Sequence, residues 1–119
     1  MASKVSTNLL SNAQAVAQQA TGYSDKVAFD RCEGNAALLI ISTAGSITVT
    51  QQCSWDGLTF YDPETAAGAA GAVEDTITVT TGRYLSFTPV LAPWARFKIV
   101  EGNTAATVVT LRLMFRTGV

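Results

Sequence analysis

The chain has 119 residues and a net charge of −1, eight Lys and Arg against nine Asp and Glu, with only 14% of its residues charged. That length makes one domain with a core of its own and excludes two. The dispersed cations argue against phosphate-driven nucleic-acid binding, and a histidine count of 0 removes the Ser-His-Asp triad, the Cys-His pair and histidine-based metal sites.

Residues 1–24 are rich in Ser, Asn, Gln and Ala and hold no β-branched run. Leu9, Leu10, Ala13, Val16, Ala17 and Ala20 share one face of a short helix that Thr21-Gly22 would stop. The same composition suits an extended arm that orders only against a neighbouring subunit, and both readings stay open. This N-terminal arm or helix is set apart from a β-sandwich domain over 25–119.

From Asp25 the period changes to two. Lys26–Cys32 places Val27 and Phe29 on one face, Glu33-Gly34-Asn35 reads as a turn, and the apolar run Ala36–Thr43 predicts a central strand covered on both sides. After Ala44-Gly45, Ile47, Val49 and Cys53 alternate with outward Thr48, Thr50 and Gln52. Asp56-Gly57 is a tight hairpin pair, and Leu58–Tyr61 is the expected return strand, ended by Asp62-Pro63. Glu64–Val73 is a loop by composition, with strands expected at Asp75–Thr81 and Arg83–Thr88. Trp94–Glu101 and Ala106–Arg116 follow across Gly102-Asn103. In the last strand Thr107, Val109, Leu111, Leu113 and Phe115 share one side. About eight short strands between Gly, Pro and Asn turns give an all-β fold, an antiparallel β-sandwich or jelly-roll-like barrel with an N-terminal arm. No stretch between strands is a helix of crossover length, so a parallel α/β fold is excluded.

Chemistry-bearing constellations are sparse. Asp56, Asp62 and Glu64 are the nearest cluster to a two-carboxylate site, at a hairpin tip and the next loop. They lack the spacing of a calcium loop and fit solvated turn acids better than a glycosidase pair. Gly68 and Gly71 match no phosphate-binding loop. No catalytic residue, metal ligand or cofactor is therefore expected. Cys32 and Cys53 have no CxxC spacing. They read as two reduced, buried thiols, and a disulfide between them is the alternative. Trp55, Tyr61 and Trp94 are the candidate contacts for a glycan or a partner, and the alternative is that they pack against their own hairpin and the core end. Arg96, Lys98, Arg112 and Arg116 would make a nucleic-acid patch only if the fold gathered them. The N-terminal segment lacks the apolar stretch of a secretory signal, and no run approaches the ~18 apolar residues of a membrane span, so a product made in the cytoplasm and free of membranes is expected.

The segment Val49-Thr-Gln-Gln-Cys-Ser-Trp-Asp-Gly-Leu-Thr-Phe-Tyr-Asp62 is similar to a hairpin that recurs in structural proteins of tailed bacteriophages, a strand followed by S-x-D-G, an aromatic and Y-D. Thr80–Val100 resembles their next strand pair, and Ala36–Thr43 extends the likeness. The resemblance implies a capsid decoration or cement protein, a homotrimer on the outside of the assembled shell. Its partner would be the major capsid protein, with no nucleic acid, membrane or small-molecule substrate and no enzymatic activity. Its location would be the capsid surface of the virion, after synthesis in the host cytoplasm. The alternatives are a glycan- or receptor-binding module of a phage fibre or tail, or another small virion component such as a tail or head-completion protein.

Overall fold

The computed structural model describes residues 4–29, 32–63, 74–77 and 82–117. Nine strands run through them: β1 Lys4–Val16, β2 Thr21–Tyr23, β3 Val27–Ala28, β4 Cys32–Ser42, β5 Ile47–Ser54, β6 Glu74–Ile77, β7 Arg83–Phe87, β8 Trp94–Glu101 and β9 Thr107–Thr117. One sheet has the order β1-β9-β4-β7; the other has the order β2-β8-β5-β6, with β3 also on β8. Every pairing is antiparallel, and the pairs nest along the chain: β1 with β9, β2 with β8, β4 with β7, β5 with β6. With the two-residue β3 set aside, this is the strand order of an eight-stranded jelly roll. The all-β sandwich expected from the alternation is the fold.

The N-terminal segment departs from both readings of it. Lys4–Val16 is extended, but it pairs with the chain's own β9, from Lys4 opposite Thr117 to Val16 opposite Thr107. Thr21–Tyr23 then joins the other sheet beside β8. The apparent helical face arose because the strand is irregular. Its register shifts between Leu9 and Ser11 and again before Gln14, and Ala13 takes a φ of 50° there. Each shift moves later side chains to the opposite face and erases the period of two.

Further differences are local. Glu33-Gly34-Asn35 is a bulge within β4 rather than a turn, with Gly34 at φ 67°. Strand β4 is central in its sheet, yet of its described side chains only Ala36, Leu38, Ile40 and Ser42 are buried, while Ile41 is exposed on the outer face. On β5 the polar side is not solvated: Thr50, Gln52 and Ser54 are buried, and inward-facing Gln51 is fully so. Glu64–Val73 and 78–81 lie outside the described residues.

Between the sheets, Val109, Leu111, Leu113 and Phe115 of β9 and Leu38 and Ile40 of β4 meet Ile47 and Val49 of β5 and Ala95, Phe97 and Ile99 of β8. Phe97 meets Phe87 edge-on across the layers at 6.1 Å between ring centroids, and Phe29 meets Phe115 at 5.0 Å. Gln51 completes the core floor by binding the backbone of Val90 in both directions, each bond 3.0 Å, which anchors the connection from β7 to β8.

Among the described residues, three connections cross from one sheet to the other at one end: β1 to β2, β4 to β5 and β8 to β9. All three end on the buried carboxylate of Glu101, which accepts from the backbone N–H of Gln19 at 3.1 Å, Ser46 at 3.1 Å and Thr104 at 2.9 Å. Burial opposes its ionisation, but these N–H groups and that of Ala105 outweigh it and hold the carboxyl below its ordinary 4.5. Gly45, at φ 75°, is required beside it, because a Cβ there would lie 2.7 Å from the Ala105 carbonyl and 2.9 Å from Glu101 Oε2.

Two outcomes are expected. Phe97→Ala should cost about 3–5 kcal/mol in denaturant unfolding, since it empties the centre of the interlayer core. The lowered pKa of Glu101 means that its stabilisation is complete above the unfolded value near 4.5 and fades as pH falls through the lower folded value. Denaturation midpoints should therefore drop on acidification from about pH 5 to pH 3 more steeply in the native protein than in Glu101→Gln.

Candidate functional site

The loop after β5 is built by its own polar side chains. Asp56 Oδ1 accepts from the N–H groups of Leu58 at 2.9 Å and Thr59 at 3.0 Å and from the Ser54 hydroxyl at 3.0 Å. The Gly57 N–H in turn donates to Ser54 Oγ, and Gly57 alone of the Asp-Gly pair takes a positive φ, 78°. The result is an Asx-type loop. The expected return strand is reduced to a single bridge, in which Cys53 and Tyr61 exchange both backbone bonds.

Trp55 and Tyr61 project from this loop, 86% and 65% exposed, and with Leu91, Pro63 and Pro93 they line a cleft of about 510 Å³. Trp94 is not part of it. Its indole lies beneath the turn, where a Cβ on Gly57 would come within 3.1 Å of the ring, and Lys26 caps it while donating to the Gly57 carbonyl at 2.8 Å. Of the three aromatic candidates, the fold brings two together and gives the third to packing. Among the described residues few polar side-chain atoms face the cleft, and the Ser54 hydroxyl among them is already engaged. The cleft therefore offers ring faces and aliphatic surface rather than a set of hydrogen-bonding groups.

The loop is fastened to the outer face of the five-stranded sheet. The Arg96 guanidinium is sandwiched between the rings of Tyr23 and Phe60, 4.1 Å and 4.4 Å from their centroids, and its Nε donates to Gln52 Oε1 at 2.7 Å. Gln52 passes the chain on to Asp62 at 2.9 Å, and Lys98 pairs with Asp62 at 2.9 Å. The Gln52 and Lys98 contacts hold Asp62 below its usual range, and the loop N–H groups of Thr59 and Leu58 do the same for Asp56. Both carboxyls are thus ionised structural acceptors, the opposite of a poised general acid; Glu64 lies outside the described residues. Cys53 is a free, half-buried thiol whose pKa burial pushes up, so it is not a ready nucleophile. No group of three or more acidic or cysteine side chains able to hold a metal occurs among the described residues.

The other outer face is unlike this one. On the four-stranded sheet, Leu9, Arg112, Leu39 and Tyr84 stand side by side across β1, β9, β4 and β7, with Thr7, Met114, Ala37 and Ser86 in the next row. Leu9 is 50% and Tyr84 62% exposed, and a groove of about 520 Å³ runs between the rows. This apolar face is not legible in the sequence, because its outward residues are spread over four distant segments. The same geometry separates the four cations of the conceivable basic patch: Arg96 and Lys98 belong to β8, Arg112 and Arg116 to β9 in the opposite sheet.

No family model matches the chain, and no curated protein sequence matches it. Among solved structures, the fold is similar to that of YomS, a protein derived from the SPBc2 prophage. The TM-score is 0.61 at 10% identity over 98% of this chain and 96% of that one. A family two carbohydrate esterase from Cellvibrio japonicus is matched with a TM-score of 0.47 and 10% identity, over 98% of this chain and 35% of that one.

Substitution should separate the aromatic roles. Trp55→Ala is expected to leave unfolding free energy within about 0.5 kcal/mol of the native value, whereas Trp94→Ala, which removes the support of the turn, should cost on the order of 2 kcal/mol. Arg96→Ala should cost about 1–2 kcal/mol and raise amide hydrogen exchange at residues 54–62.

Proposed function

We propose that this protein is a structural component of a phage particle, and that within the particle it is a decoration protein. In this role it is a homotrimer bound to the outside of the assembled head, it contacts the major capsid protein and it performs no catalysis. The observation that carries the reading is the outer face of the four-stranded sheet, where Leu9, Tyr84 and Met114 are exposed around a half-buried Leu39 in a chain with few charges. Exposed apolar patches of that kind mark protein contact surfaces. The likeness of fold to a prophage-derived protein over nearly the whole of both chains supports the phage setting. Jelly rolls serve as capsid modules and equally as lectins, so the fold alone does not choose the role.

A second reading has its own observation. Trp55 and Tyr61 share one exposed cleft, which suits a glycan- or receptor-binding module of a fibre or tail. Its weakness is the scarcity of hydrogen-bonding side chains around those rings, since sugar recognition needs polar partners as well as a stacking face.

Mixing the purified protein with heads assembled without it, then pelleting, tests the first reading. Co-sedimentation and greater resistance of the heads to heat are expected, together with a trimer mass by light scattering. A protein that stays in the supernatant, or sediments only with tails, overturns the decoration role. Glycan-array binding abolished by Trp55→Ala would establish the second reading in its place.

A further inference from the structure

We propose that the outer face of the four-stranded sheet docks onto a protein surface that is apolar and carries carboxylates, with Arg112 as the charge that orients the contact. The proposal rests on the decoration reading and names the face and the chemistry of its partner.

The two outer faces differ in how far they are satisfied. On the five-stranded sheet, Arg96 and Lys98 are closed into the network of Gln52, Asp62, Tyr23 and Phe60. On the four-stranded sheet, Arg112 lies between Leu9 and Leu39 in its row and has no ion-pair partner among the described residues. Arg116 stands on the same face opposite Glu33 in the β4–β9 register, whereas the row of Arg112 holds only Leu9, Leu39 and Tyr84 beside it. A cation set in exposed apolar surface becomes costly to bury unless the incoming surface supplies an anion. Charge thus discriminates between occupants. A second copy with its two-fold axis through this row would set Arg112 against Arg112, which brings like charges together. An acidic, apolar partner pairs Arg112 and covers Leu39 and Tyr84 in one step.

The size is sufficient. Four strands about 4.8 Å apart, with outward residues spread over roughly 27 Å of β9, present on the order of 500 Å². Counted on both partners this reaches about 1,000 Å², the lower bound of a specific interface, and several copies on one shell add to it.

Heads assembled without this protein are the probe, and the readout is the concentration giving half-maximal co-sedimentation. Arg112→Glu is expected to weaken binding tenfold or more, Arg112→Lys less than threefold, and Tyr84→Ala about fivefold. Thr59→Glu, an acidic change on the loop over the other sheet, leaves binding unchanged. Thermal unfolding of each variant is measured alongside, and because Arg112 is exposed its midpoint should stay at the native value. Arg112→Glu binding as tightly as the native chain overturns the proposal while leaving the decoration role standing. A change in the mass of the isolated protein on Arg112→Glu also overturns it, since the face would then join copies of this chain. Failure of the native protein itself to bind heads removes the decoration reading and this proposal with it.

Discussion

Two sheets stacked face to face are held in register by the segments of chain that pass between them, and here three such passages are tied to one carboxylate. Glu101 is 1% exposed and takes a backbone N–H from each of the β1–β2, β4–β5 and β8–β9 connections. A buried anion is tolerated only when its lone pairs are filled, and in this position the filling groups are backbone donors that would otherwise be orphans at a tight crossover. One side chain therefore satisfies three turns and fixes where each strand enters its sheet. Gly45 and the left-handed Asn103 are consequences, because the chain has to pass close to that carboxylate.

The opposite end of the molecule is held in a different way. Gln51 grips the backbone of Val90 from inside, and Arg96 holds the loop after β5 from outside between two aromatic rings. Neither device uses a long stretch of regular hydrogen bonding. Both use a planar side chain with several donors or acceptors, which limits the loop to one arrangement at little rotamer cost. The aromatic cleft stands where it does because of them, with Trp94 as its support and Trp55 and Tyr61 as its surface.

The molecule has one outer face that is internally satisfied and one that is not. That asymmetry is a difference in chemistry between two faces of one fold. A jelly roll closes its hydrogen bonds internally and interacts through its outer faces and loops. In this chain the four-stranded face combines exposed Leu9 and Tyr84 with Arg112, which has no ion-pair partner among the described residues.

Several elements were legible in the amino-acid sequence. Strand β8 was expected at Trp94–Glu101 and occupies those residues, and β9 needed only a shift of one residue at each end. The reason is that their alternation is local: neighbouring positions differ in polarity whatever the strand pairs with. The loop role of Asp56 was likewise written in its own neighbours. By contrast, β1 became a strand only through pairing with β9, a partner about a hundred residues away, because its bulges break the period. The apolar row Leu9–Leu39–Tyr84, the three-way role of Glu101 and the separation of Trp94 from Trp55 are also tertiary facts. Each depends on which distant segments lie side by side, and alternation along one strand carries no information about its neighbour.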